Sequence, residues 1–110
     1  MKLEAFEMTK VGEVAEVRIT GSGRGNPLGV AFFREAPRLF AAIEEARDVR
    51  AVVLYGDGDH FSVGIDLAGV VEHHRIDPHE FGPSASRRVA FRQIILDMQD
   101  GVNAIEGCRV

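Results

Sequence analysis

A single cysteine, Cys108, is all the thiol chemistry this sequence contains. No internal disulfide framework is possible, and a lone thiol suits a reducing compartment. Basic runs are missing as well. A formal net charge of -4 with no cluster of Lys or Arg argues against a nucleic-acid binder. Long apolar runs are absent. The N-terminal MKLEAFEMTKVGEVAEV alternates charge with apolar residues and has no continuous h-region, so it does not read as a signal peptide. Nothing approaches the length that spans a bilayer. Internal repeats and low-complexity tracts are also lacking. The expectation is a soluble cytoplasmic protein with neither nucleic-acid nor membrane partners. The 110 residues suffice for one small domain, residues 1–110, and a 45% hydrophobic content can fill a core of modest share.

What is present reads as α/β. LEAFEMTK and EVAEVRIT alternate with period 2 around VGE, placing Ala15, Val17 and Ile19 on one face, and predict a β-hairpin. GSGRGNPLG is a Gly-rich loop. From about Leu28 to Arg47 the period turns helical, with Phe32, Phe33, Ala36, Leu39, Phe40 and Ile43 on one side. Pro37 lies inside this pattern and predicts a kink or break. RAVVLYG reads as a strand covered on both faces. DLAGVVEHH predicts a short helix from Asp66. Residues 72–86 are expected to form a mobile loop. A long helix from about Ser86 carries one apolar stripe, Phe91, Ile95, Met98, Val102 and Ile105. Three strands are few for a sheet with two covered faces, so the fold looks truncated.

Four patterns invite chemistry. GSGRGN, between a strand and a helix, suggests a phosphate cradle, but its spacing is GxGxG rather than GxGxxG and no second βαβ half follows. The plainer reading is a flexible loop whose Asn26 caps a helix starting at Pro27. A loop lying close to a ligand is a third. His73, His74 and His79, with Asp77 and Glu80, match no standard zinc spacing, and Phe61 breaks the EF-hand template in GDGDHF, so no metal is expected. Ser62 is not in a G-x-S-x-G elbow and Cys108 has no evident His partner, which leaves both structural. No carboxylate pair can be assigned.

The fourth is GDGDHFSVGIDL, Gly56 to Leu67. A buried strand ends, a Gly-rich turn follows, and the chain enters a helix through Gly64, Ile65 and Asp66. Ligands of α/β sheets bind beyond the carboxyl ends of strands. The amides that open a helix are unpaired and carry the positive end of its dipole. The Ile65 N–H can therefore face a developing oxyanion, with Gly64 allowing the turn. The competing and more common arrangement has Asp66 capping the helix while Phe61 and Leu67 pack inside. Asp57, Asp59 and His60 read as the solvated side of the turn.

VRAVVLYGDGDHFSVGIDL resembles the VRAVVLTGAGxxFSAGxDL segment of the crotonase (enoyl-CoA hydratase/isomerase) superfamily. VAEVRITGSGRGNPLG is similar to the strand and LNRPxxxNAL loop of that family. FRQIILDMQDGVNAIEGCRV is similar to the helix before its PVIAAVxG strand and, with GIDL, leans to the dienoyl-CoA isomerase-like branch. The resemblance covers nearly the whole chain and implies the N-terminal part of a ββα spiral, ending where PVIAAV would begin. It implies an acyl-CoA substrate, so that coenzyme A belongs to the substrate and no separate cofactor is needed. Its thioester carbonyl would be held by two backbone N–H groups, the first that of Ile65, with Gly64 and Asp66 shaping the turn. Gly23, Arg24, Gly25, Val63 and Leu67 would line the CoA and acyl site. The family's second donor and its acidic residues have no counterpart here, so the chain alone is expected to be inactive. Homo-oligomers, trimers or paired trimers, are implied for the full-length family. The alternatives carried forward are a non-catalytic α/β oligomerisation module and a nucleotide-binding domain using GSGRG.

Overall fold

The computed structural model describes residues 2–21, 23–75 and 85–110. Two strands, β1 (Phe6–Val11) and β2 (Val14–Ile19), form the expected antiparallel hairpin. Gly12, at φ 61°, opens the two-residue turn, a conformation that glycine adopts without a Cβ penalty. Helix α1 (Val30–Glu45) carries the chain to β3 (Ala51–Gly56), which lies parallel to β2. The sheet order is β1-β2-β3. Helices α2 (Leu67–His74) and α3 (Ala85–Glu106) follow.

The core lies between one sheet face and α1. Ala15, Val17 and Ile19 are fully buried, as their alternation predicts, against Phe32, Ala36, Leu39, Phe40 and Ile43. Phe6 completes this layer, its ring 5.0 Å from Phe32 and edge-on to Phe40 at 6.4 Å. Glu35 sits on the same helix face, 3% exposed, and its carboxylate accepts from the backbone N–H groups of Glu4 and Ala5 at 2.9–3.0 Å. It ties the segment before β1 to the helix. The sequence carried a signal for this, an acid at the apolar helical spacing between Phe32 and Leu39.

Four expectations are corrected. The helix runs through Pro37 without a break. The proline costs the carbonyl of Phe33 its partner, but the apolar face on either side of it is already anchored in the core. Asn26 does not cap α1, which begins at Val30 behind Gly29 and has no side-chain cap. β3 is covered on one face only: Val52 and Leu54 pack on the core, whereas Val53 and Tyr55 are 49% and 41% exposed. Among the described residues nothing lies over that second face. Finally, α3 does not seat through the whole stripe. It docks on α1 through Met98, Gly101, Ala104 and Ile105, while Phe91, Ile95 and Val102 stay exposed. Gly101 decides this, since a Cβ there would stand 3.2 Å from the backbone and ring of Phe33. The expected mobile loop, 72–86, falls largely outside the described residues; its first part, to His74, is the last turn of α2.

Candidate functional site

The two Gly-rich loops meet beyond the carboxyl ends of β2 and β3, where the Asp57 N–H donates to the Ile19 carbonyl. They run side by side as short extended segments, joined by a parallel bridge between Leu28 and Ile65. The Val63 N–H donates to Gly25 O at 2.9 Å, Leu28 N–H to Gly64 O at 2.8 Å, and Asp66 N–H to Leu28 O at 2.8 Å. Gly25, at φ 85°, lets Val63 approach, because a Cβ would lie 2.7 Å from Val63 Cγ1. Gly56 has no room for a side chain either: the turn folds back so far that a Cβ would meet His60 O at 2.1 Å.

Asn26 is the centre of this junction. It is 4% exposed and adopts φ 54°. Its Nδ2 donates to the carbonyls of Asp57 at 2.7 Å and His60 at 2.9 Å, and its Oδ1 accepts from Gly21 N–H at 3.3 Å. Ser62 Oγ–H donates to Asn26 O at 2.7 Å, and Ser62 Oγ accepts from Gly64 N–H at 3.0 Å. Arg18 adds an ion pair to Asp57 at 3.2 Å and another to Glu7. The expectation of an Asn26 cap missed this role, because all of these partners but Gly21 lie 31–36 residues away.

The turn Gly64-Ile65-Asp66 carries the expected helix cap and, beside it, one amide without a protein acceptor. Gly64 has φ 106°, a region that side chains disfavour. Asp66 caps α2, its Oδ1 accepting from Gly69 N–H at 3.1 Å. Between Val63 and Leu67 every amide donates to a protein acceptor except that of Ile65, which pairs with nothing among the described residues. Phe61 and Leu67, expected inside by the cap reading, are 56% and 68% exposed. Val63 and Ile65 are exposed too, and Ile65 borders an open, largely apolar groove of about 470 Å³ lined by Phe33, Ile95, Met98 and Val102 together with Gln99 and Asn103. Asp57, Asp59 and His60 are exposed, with Asp57 held by Arg18.

The remaining residues expected to line the site are on the surface. Gly23 and Arg24 are exposed, and Arg24 forms no ion pair among the described residues. The nucleotide reading loses its geometry. The Leu28 bridge separates the GSGRG loop from α1, so those glycines do not lead into a helix N-terminus. His73 and His74 stack edge to face at 4.9 Å at the exposed end of α2. Among the described residues no group of His, Cys, Asp or Glu is arranged to hold a metal ion; Asp77, His79 and Glu80 lie outside them. No described helix is long and apolar enough to cross a membrane. Among the described residues Ser62 Oγ bonds only to the backbone of Asn26 and Gly64, and Cys108 is a free thiol just past the end of α3.

No family model matches the chain. It is 33% identical over 109 residues to the peroxisomal Delta(3,5)-Delta(2,4)-dienoyl-CoA isomerase of Arabidopsis thaliana, a match covering 97% of this chain and 38% of that protein. With the mitochondrial Delta(3,5)-Delta(2,4)-dienoyl-CoA isomerase of Homo sapiens the identity is 32% over 96 residues, or 86% of this chain and 28% of the relative. Among solved structures, an enoyl-CoA hydratase/isomerase from Xanthobacter autotrophicus Py2 superposes with a TM-score of 0.60 at 26% identity, over 66% of this chain and 27% of the other. An enoyl-CoA hydratase/carnithine racemase from Magnetospirillum magneticum shares the fold over 97% of this chain and 36% of its own, with a TM-score of 0.74 at 19% identity. The chain thus spans roughly a third of the length of the proteins it matches. Taken with the α/β hairpin-helix-strand order, these likenesses match the chain, over nearly all of its length, to one part of the crotonase (enoyl-CoA hydratase/isomerase) fold.

Proposed function

We propose that this chain supplies part of the site of an acyl-CoA hydratase or isomerase, with the Ile65 N–H as one donor to the thioester carbonyl as it becomes an enolate. The observation that carries the reading is the free Ile65 amide, alone unpaired in a turn whose other amides are fixed. A donor held in place before the reaction stabilises developing charge without reorganising. The groove beside Ile65 offers a largely apolar bed for the acyl chain. Val63 and Leu67, exposed on either side of the turn, are assigned to the same acyl-binding surface, and Gly25 holds Val63 through its carbonyl. Gly64 and Asp66 shape the turn. Gly23 and Arg24, exposed on the neighbouring loop, face the coenzyme A portion, Arg24 offering a cation to its phosphates. One donor is half of such a hole, and general acid–base groups contribute about 10²–10⁴-fold. The 110 residues alone are therefore inactive in this reading, and turnover belongs to an assembly that adds the second donor and the proton-moving groups. The unpaired Cys108 agrees with a reducing, cytoplasmic setting.

Calorimetry with acetoacetyl-CoA, whose β-keto thioester ionises readily to an enolate, tests this on the chain itself. Ile65→Pro removes the N–H and is expected to weaken binding about tenfold, the factor carried by one good hydrogen bond. Equal affinity in the two proteins, with the variant folded, overturns the proposal. A second reading, a non-catalytic module that associates through its sheet, is favoured by the open edge and face of β3.

A further inference from the structure

We infer that Ser62, seated on Asn26, is a positioning residue that selects the Ile65 amide, rather than that of Gly64, as the free donor of the turn. The inference rests on the oxyanion reading above and deepens it. Two consecutive amides, Gly64 and Ile65, precede the bonded amide of Asp66, and a turn open to solvent gives no reason for one of them to be held back. The Ser62 hydroxyl supplies the reason. Its proton goes to Asn26 O at 2.7 Å, and this fixes the hydroxyl rotor so that a lone pair meets Gly64 N–H at 3.0 Å. The Gly64 carbonyl is taken in turn by Leu28 N–H at 2.8 Å. The peptide planes on both sides of Gly64 are thereby set, φ 106° is enforced, and the Ile65 N–H is left with the direction that the Gly64–Ile65 plane gives it.

The hydroxyl has a fixed partner because Asn26 is buried and bonded on several sides. Its backbone is at φ 54°, its side chain bridges Gly21, Asp57 and His60, and it is 4% exposed. Both functional groups of the Ser62 hydroxyl are therefore spent on one task. Alanine at this position keeps the fold's apolar contacts but frees the Gly64 amide. Two adjacent donors at slightly different angles then compete for one oxygen, and neither is fixed.

Amide-resolved NMR on the 110-residue chain tests this. In the wild type the Gly64 and Asp66 amides are expected to exchange slowly with solvent and the Ile65 amide fast. In Ser62→Ala, Gly64 exchange rises about tenfold, the factor for one lost hydrogen bond, while Asp66, still bonded to Leu28 O, keeps its rate and reports an intact fold. On titration with acetoacetyl-CoA the wild type is expected to show a downfield shift confined to Ile65. In Ser62→Ala that shift divides between Gly64 and Ile65, and in Ser62→Thr, which keeps the hydroxyl, it returns to Ile65. A merely structural serine would not move the shift from one amide to the other. If Ser62→Ala leaves both the Gly64 exchange rate and the Ile65 shift at wild-type values, the positioning role is overturned and the oxyanion reading stands. If the Ile65 amide of the wild type ignores the thioester, the oxyanion reading itself falls.

Discussion

At the scale of single residues, glycines with different duties look identical in the sequence and separate only in three dimensions. Gly64 has open space where a Cβ would stand, so its demand is purely conformational, φ 106°. Gly64→Ala is expected to lower stability by about 1–3 kcal/mol, the strain of a side chain held in that region. Gly25 adds a collision to a positive φ, with a Cβ 2.7 Å from Val63 Cγ1. Gly25→Ala should therefore cost more than Gly64→Ala, and urea midpoints compared at constant slope will rank them. The reverse order would show that Val63 moves freely, contradicting its bond to Gly25 O. Asn26 makes the complementary case. Asn26→Asp keeps the shape but replaces a donor with a charge facing the carbonyls of Asp57 and His60, at a cost of roughly 1–3 kcal/mol by the same measurement. The strand-to-helix turn at Gly64-Ile65-Asp66 was readable because its signals, glycine and a capping acid, are local. Asn26 was misread as a cap because the partners of its Nδ2, Asp57 and His60, come from the far side of a helix and a strand, which no spacing records.

Elements show the same division. Period tells which residues face one way, and contact decides what covers them. The faces of β2 and α1 were legible because each is the other's cover, brought together by the short crossover to β3. The stripe of α3 was not, since its seat is chosen by Gly101, a residue that hydrophobic patterns pass over. Gly101→Leu is expected to push α3 off Phe33, at about 1–3 kcal/mol for overpacking a tight contact. The measured sign of that loss, with slower-exchanging amides of α1 unaffected, would place the damage at the helix contact and not in the core. Pro37 supplies the opposite test. The helix contains it without breaking, so Pro37→Ala returns a donor to Phe33 O and relieves the ring, and should raise stability by about 1–3 kcal/mol. A thermal midpoint that falls in this variant would show that the proline shapes α1 in a way the core requires.

For the whole molecule, the balance of covered and open surface is the telling quantity. The radius of gyration is 15.7 Å, against about 13 Å for a compact domain of this length. The accessible surface is 7592 Å², where a globular protein of 12.0 kDa shows about 6,000 Å². The excess, roughly 1,600 Å², exceeds the 800 Å² or so that one partner contributes to a standard interface. Among the described residues, exposed apolar side chains lie on the first half of α3 (Val89, Phe91, Ile95) and on β3 (Val53, Tyr55). The two sheet edges differ in kind. β1 carries Glu7 and Lys10, paired with Arg18 and Asp48, the sort of charge that blocks edge-to-edge pairing. β3, AVVLYG, has neither charge nor proline and shows Val53 and Tyr55 to solvent. An antiparallel second copy would set Val53 against Val53 and Ala51 against Tyr55, keeping each side chain on its own face. The chain is accordingly expected to self-associate with rising concentration, and Val53→Lys to hold it monomeric with little loss of stability, because Val53 is already half exposed. Sedimentation velocity over a hundredfold concentration range decides: a wild type that sediments as a monomer throughout, identical to the lysine variant, would leave β3 an open edge with no affinity for its own kind.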